Sequence, residues 1–361
     1  MTVALDAIEL IRIRLPLVRP FRTSFGTSTE KDATLVRAAG AGGAEGWGEC
    51  VAMEAPLYSG EWNDGAWLVL RDHLAPAALA GRDAGIRGHP MARAALDTAV
   101  LDLGLRRKGV SLSAHLGGVR DRVPCGVSLG IEDDLDDLLG LVKRFVDAGY
   151  RRVKLKIEPG RDVDVVRAVR ESYPETPLSV DANAAYTSDS VEPLVALDDF
   201  GLEYLEQPLA EDDLIGHARL QERLATPVCL DETITSPTVA RGALDIGACR
   251  VINVKLGRVG GMGPAREIHD LAQAAGIPLW CGGMLETGIG RAANLALASM
   301  PAFTLPGDTS GSDRYFERDL TEPFVVDPDG TMAVPRDPGI GVSPIPEVLD
   351  AVAIDRLTIR R

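Results

Sequence analysis

Five charged residues, each closing a short apolar run, recur on a near-constant beat through the middle of the chain. Lys156 closes RRVKLKI, Asp181 closes PLSVD, Glu206 closes GLEYLE, Asp231 closes PVCLD and Lys255 closes CRVINVK, at spacings of 25, 25, 25 and 24 residues. A parallel βαβ unit spends about that many residues on one strand, one helix and two short loops. The spacing therefore predicts that all five charges stand at the same end of neighbouring parallel strands. Such strands are buried on both faces, so a charge at the end of each needs a partner. Three carboxylates flanked by two lysines suit a divalent cation with a base on either side.

The same alternation extends in both directions. Strands are predicted at 123–129 (VPCGVSL) and at IPLWC, and AFTLP is a candidate eighth strand. Helical patterns fall between them, at 133–148, 162–172, 188–197, 212–224, 237–244, 262–275 and 289–299. Seven or eight βα units of this size argue a (β/α) barrel. Before residue 119 the pattern differs. Residues 2–19 alternate as a strand, 20–32 are polar and read as a flexible loop, and 33–39 and 46–50 read as two more strands. A second irregular stretch, 52–64, leads into helical spacing at 66–77 and 91–108. Residues 1–118 thus form an α+β unit with a three-stranded antiparallel sheet, and 119–320 the barrel. Residues 321–361 fit no further βα unit and are expected to run back over the first domain.

Composition limits the partners. A formal net charge of −15 argues against nucleic acid and against an anionic membrane surface, both of which demand basic protein surface. A small anionic substrate stays compatible if the site itself is locally positive. The five cysteines (50, 125, 229, 249 and 281) form no CxxC pair, which suggests neither a zinc site nor a disulfide framework. No apolar run has the length of a membrane span, and the N-terminus lacks the apolar core of a signal peptide. A reducing cytoplasm and a homo-oligomeric state are expected.

In such barrels the chemistry sits at the C-terminal ends of the strands. Asp181, Glu206 and Asp231 offer hard oxygens without nearby Cys or His, which suits Mg²⁺ or Mn²⁺. Any one of them would serve as a helix N-cap. Three in succession, with lysines on the flanking strands, exceed what capping explains. Lys156 and Lys255 act as bases only if their pKa falls, through burial and a neighbouring cation; Lys154, pointing the same way from its strand, supplies one. Asn183 and Glu232 are placed to support the ligands or orient Lys255. The five histidines fall on helices or connections, and His269 is expected on a helix surface. The Gly-rich loops at 282–284 and 307–310 could present backbone N–H groups to an anion.

The motifs KLKI, VDAN, EQP, LDE and NVK resemble those of the muconate-lactonising subgroup of the enolase superfamily. Longer strings (ECVAMEAPLYSGEWNDGA, CGGMLETGIGRAAN and LPGDTSGSDRYF among them) resemble the o-succinylbenzoate synthase/N-acylamino acid racemase family, its actinobacterial racemases above all. The resemblance spans nearly the whole chain. It implies a (β/α)7β barrel under an α+β capping domain, with 20–32 and 52–64 closing over the barrel mouth as specificity loops. It also implies Mg²⁺ on Asp181, Glu206 and Asp231, with Lys156 and Lys255 as acid/base residues on opposite faces of a carboxylate substrate. Ser128, Met284 and Ser310 would line the substrate pocket, and Arg258 matches an arginine of the racemase-competent branch. Racemisation of N-acyl or N-succinyl amino acids, with o-succinylbenzoate synthase activity in the same site, is the favoured reading. A dedicated synthase of menaquinone biosynthesis is the alternative; a dipeptide epimerase, a cycloisomerase and a non-catalytic binding barrel are more distant.

Overall fold

The computed structural model describes residues 4–23 and 26–361. Thr2 and Val3 of the expected first strand, and Ser24 and Phe25 of the expected loop, lie outside the described residues. The chain opens with three antiparallel strands, β1 (Ala7–Thr23), β2 (Gly26–Gly40) and β3 (Ala44–Cys50). Segment 20–32, expected as a loop, is mostly strand: β1 and β2 stay paired down to Thr23 against Gly26, with a register shift between Pro16 and Phe21. Its polar residues are compatible with a strand because this end of the ribbon is only partly buried. Alternation sorts the rest of β1. Ile8 and Leu10 pack with Val36 and Ala38 into the capping domain's own core, whereas Ile11, Ile13 and Leu15 join the core shared with the barrel.

Helical structure runs through α1 (Asn63–Val69), a π-helical turn (Leu70–Leu74) and α2 (Ala75–Leu79), longer than the 66–77 expected. The long helix α3 (Pro90–Lys108) lies directly on β3. Glycine permits this approach: a Cβ at Gly48 would stand 2.0 Å from the Ala95 carbonyl oxygen. After α4 (Leu112–Leu116), the expected strand at 123–129 splits in two. β4 (Arg122–Pro124) pairs with a later strand, and β5 (Gly126–Leu129) begins the barrel.

From there strands and helices alternate: α5 (Leu135–Asp147), β6 (Arg152–Lys156), α6 (Val163–Ser172), β7 (Leu178–Asp181), α7 (Glu192–Ala196), β8 (Leu205–Glu206), α8 (Leu214–Arg223), β9 (Val228–Leu230), α9 (Pro237–Asp245), β10 (Val251–Val254), α10 (Leu256–Val259), α11 (Met262–Ala275), β11 (Leu279–Cys281) and α12 (Gly288–Ala298). The strands form one parallel sheet in strict sequence order from β5 to β11. The eighth position is a seam, not a regular strand. Single parallel bridges, Leu279 to Phe303 and Cys125 to Gly307, join β11 and β5 to the segment between them and so close the ring. The architecture is the modified (β/α)7β barrel of the enolase type with a separate N-terminal domain.

The tail adds β12 (Thr331–Ala333), which pairs with β4, then α13 (Pro346–Val352) and β13 (Ala353–Arg360). β13 lies antiparallel to β1, so the capping sheet has four strands (β13-β1-β2-β3) rather than the three expected. A fourth strand from the far end of the chain leaves little local trace, because its pattern is half exposed.

Candidate active site

The parallel register places the five beat residues in a row. Lys156 on β6 pairs with Asp181 on β7, and Asp181 with Glu206 on β8. Asp231 follows β9 directly, and Lys255 follows β10. All five are thus brought together at the C-terminal ends of adjacent strands. Lys156 Nζ donates to Asp181 Oδ2 (2.6 Å) and to Asn183 Oδ1 (2.5 Å). Lys255 Nζ donates to Asp231 Oδ2 (2.8 Å). Between them, Lys154 Nζ lies 2.6 Å from Glu206 Oε2, 2.9 Å from Asp308 Oδ2 and 3.4 Å from Asp181 Oδ2. Asn183 passes the network on, its Nδ2 donating to Glu232 Oε1 at 3.0 Å.

Three groups on this floor had no signal in the beat. Tyr58, from the 52–64 stretch of the capping domain, donates its hydroxyl to Asp231 Oδ1 (3.1 Å), and Lys255 Nζ sits 4.3 Å from its ring centroid. Asp308, on the seam, pairs with Lys154 and with the fully buried Arg152 (2.9 Å). Asn253 donates to Glu206 Oε1 at 2.7 Å. Asp308 lies within a loop noted for its glycine, yet its carboxylate is what engages the site. The other two act across long sequence separations that no local pattern records.

Burial sets the electrostatics. It raises Asp181, but Lys156 and Lys154 outweigh it and hold the carboxyl well below the usual range. Burial, together with the charge on Asp181, raises Glu206. Burial pulls the Lys255 ammonium down, while Tyr58, Glu232, Glu206 and Asp181 push it up, and the push prevails. Lys154 behaves likewise, with burial opposed by Asp308, Glu206 and Asp181. The fall expected for Lys255 is therefore absent from the protein groups alone, because acids surround it.

Asp181, Glu206 and Asp231 supply hard oxygens from three adjacent strand ends, which fits a divalent cation. Among the described residues no three acidic, thiol or imidazole side chains already converge as a metal cluster; the ammonium groups of Lys154, Lys156 and Lys255 engage these oxygens instead.

A cavity of about 250 Å³ opens above this floor. Lys154, Lys156, Asp181, Asn183 and Lys255 line it from the barrel, and residues from 21–32 and 53–58 line it from the capping domain. Ser128 and Met284 also reach it. Two residues expected in the pocket do not. Ser310 is fully buried, its hydroxyl 3.4 Å from the Gly126 carbonyl. Arg258 is buried behind Asp231, forming an ion pair with it and donating to Ile234 O (2.8 Å) and Tyr58 Oη (3.0 Å). It sits on α10, just after Lys255, with its donors committed to protein, so it supports the floor without touching the cavity. His269 is also not on a surface: it is 3% exposed, accepts from the Ala302 N–H and stacks on Phe303, bracing the seam.

Comparison with known proteins matches this geometry. Residues 7–117 match the mandelate racemase / muconate lactonizing enzyme N-terminal domain, and 137–348 the enolase C-terminal domain-like family. An N-succinylamino acid racemase of Amycolatopsis sp is 54% identical over 98% of this chain and 99% of its own. An o-succinylbenzoate synthase of Geobacillus stearothermophilus is 50% identical over 94% of each. Among solved structures, an enolase superfamily member from Listeria innocua superposes with a TM-score of 0.94 at 39% identity, covering 99% of both chains. The chain belongs to the enolase superfamily, within the family of N-succinylamino acid racemases and o-succinylbenzoate synthases.

Proposed function

We propose that this protein racemises N-acyl amino acids, N-succinyl amino acids in particular, and that the same site makes o-succinylbenzoate by dehydration. The observation that carries this reading is that Lys156 and Lys255 bound one cavity, each held by a carboxylate from a strand lying between them. One lysine takes the proton α to the substrate carboxylate, and the other returns a proton to the opposite face. In dehydration Lys156 takes the α-proton and then delivers it to the departing β-hydroxyl, which leaves as water. Lys255 stays protonated and stabilises the developing charge.

Enzymes of the enolase superfamily depend on a divalent cation. Here Mg²⁺ would be held by Asp181, Glu206 and Asp231, and when bound it supplies positive charge against the negative charge of the deprotonated carbon acid. Asn183 links Lys156 to Glu232, the residue after Asp231, and so ties the Lys156 side of the floor to the strand end that carries Asp231. Residues of 21–32 and 53–58 from the capping domain wall the cavity above the floor, whose buried charges interact more strongly than they would in water.

The racemase and synthase relatives, at 54% and 50% identity, support both activities. Both are to be measured on one Mg²⁺-loaded preparation, by optical rotation for an N-succinyl amino acid and by ultraviolet absorbance for dehydration. Dehydration with no racemisation would reduce the assignment to a dedicated synthase. No exchange of the substrate α-proton in D₂O would overturn it altogether.

A further inference from the structure

A second layer of side chains lies inside the barrel beneath the floor. Side chains alternate in direction along β6, so Arg152 points the same way as Lys154 and Lys156 but one layer deeper. It is fully buried. Trp280 lies under two cations at once, its ring centroid 5.2 Å from the Arg152 guanidinium and 4.4 Å from the Lys154 ammonium. The neighbouring strand makes room for the guanidinium: a Cβ at Gly126, on β5, would stand 2.5 Å from Arg152 Cζ. Gly126 is not in the left-handed region, so it is space rather than backbone freedom that the glycine provides.

A guanidinium inside a barrel is costly, and a well-packed apolar side chain of similar volume would close the interior as well or better. Its contacts point to a second role. Arg152 Nη2 donates to the Pro306 carbonyl and to Asp308 Oδ1, both at 2.9 Å. The other oxygen of Asp308 takes the Lys154 ammonium at 2.9 Å, and that ammonium donates to Glu206 Oε2 at 2.6 Å. Four charges of alternating sign thus run in one buried chain, Arg152–Asp308–Lys154–Glu206. Its last member is the middle carboxylate of the floor. Asp181 Oδ2, at 3.4 Å, is a third acid beside Lys154, so where that ammonium sits depends on how firmly each acid is held.

We infer that Arg152 is a positioning residue: by holding Asp308 it seats Lys154 against Glu206 and so sets Glu206 for the divalent cation. This rests on the proposed metal set of Asp181, Glu206 and Asp231. Removing the guanidinium would leave Asp308 to draw Lys154 toward itself and away from Glu206, which would keep its bond from Asn253.

The test is a titration of Mn²⁺ into the substrate-free protein, read by electron paramagnetic resonance, with a melting curve for each variant. Arg152→Met should weaken Mn²⁺ binding by about 10- to 100-fold, the usual size for a residue that orients a metal ligand. Gly126→Ala should weaken it too, because the new methyl group displaces the guanidinium without changing any charge. Arg152→Lys should retain most of the affinity, since one ammonium can make both bonds of Nη2. Were Arg152 acting only as a distant charge, its loss would tighten Mn²⁺ and Gly126→Ala would do nothing; that pattern would overturn the inference. Were it only tying the seam at Pro306, both variants would melt lower with Mn²⁺ affinity unchanged, which would overturn it equally. If Arg152→Met does not fold, Gly126→Ala decides alone, weaker binding supporting the inference and unchanged binding ending it. A wild-type protein that binds no Mn²⁺ would sink the metal set and this inference with it; wild-type binding that the variants leave intact sinks the inference only.

Discussion

The two halves of the cavity are built on opposite rules. Its floor comes from barrel strands of two to five residues, β6 to β10, and its acids Glu206 and Asp231 are fully buried. Each is pinned by at least two donors, so a change at one disturbs its neighbours. The opposing wall comes from strands of 17 and 15 residues and from an irregular stretch, and much of what faces the cavity is uncharged or partly exposed. A buried ionic network tolerates few alternatives, because removing one partner strands another charge in low dielectric. A partly solvated wall tolerates many. On the proposed function, the floor would carry the reaction and the wall the choice of molecule that undergoes it. Two activities among relatives of similar identity fit that division.

The largest effects belong to the floor. Lys156→Ala and Lys255→Ala should each lower racemisation by about 10²- to 10⁴-fold, the range for a lost acid or base. They should differ in one respect: each variant keeps exchange of the α-proton that faces its surviving lysine. NMR of the two enantiomers in D₂O would show opposite selectivities, and full racemisation by either variant would remove that lysine from the mechanism. Asp231→Asn comes next. It leaves Lys255 and Arg258 facing a neutral amide and should weaken Mg²⁺ binding by at least about tenfold. An unchanged metal titration with native circular dichroism would show that Asp231 is not a ligand.

The floor was also the more legible half. A strand, a helix and two loops have a nearly fixed length, so charges at strand ends appear as a beat even when β8 is only two residues long. Most of the helices fell close to their expected limits for the same reason. The wall gave no such signal. Segment 20–32 read as a loop because a partly exposed ribbon end needs no apolar alternation, yet it is strand on both sides. Tyr58 and Asp308 make their defining contacts at separations of 173 and 154 or more residues, where no periodicity links the partners. Arg258, expected with the substrate residues from the family resemblance, is turned behind Asp231 by α10, a placement that a matching motif does not record.

Tyr58 is where the comparison should break. It belongs to the capping domain, yet its hydroxyl reaches a floor acid and its ring lies against Lys255. Tyr58→Phe keeps the ring and removes one buried hydrogen bond of about 1 kcal/mol, a factor of about five to ten. Because the hydroxyl touches Asp231, the loss should fall on kcat, with KM for the succinyl substrate little changed. A change in KM alone would return Tyr58 to the wall and restore the division.

The smallest effect concerns how the floor is held from behind. His217, fully buried on α8, lies 2.8 Å from the Asp213 carbonyl through Nδ1, and its Nε2 accepts from the Leu209 N–H, three residues past Glu206. Both bonds are satisfied only by the neutral ring that carries its proton on Nδ1. Burial depresses the folded-state pKa, more than the Asp213 contacts restore it. A histidine depressed in the folded state binds more protons when unfolded. Its contribution to stability is therefore present above the unfolded pKa of about 6.5 and is lost as pH falls through the folded value. The buried acids Glu49, Glu61 and Glu206 are raised by burial and pull the other way, so the total slope does not isolate this residue. The difference between wild type and His217→Gln does. Between pH 7.5 and 5, the melting temperature of the wild type should fall more steeply than that of the variant, whatever their offset at pH 7.5. Parallel curves would mean that His217 takes up its proton without disturbing the loop that carries Glu206.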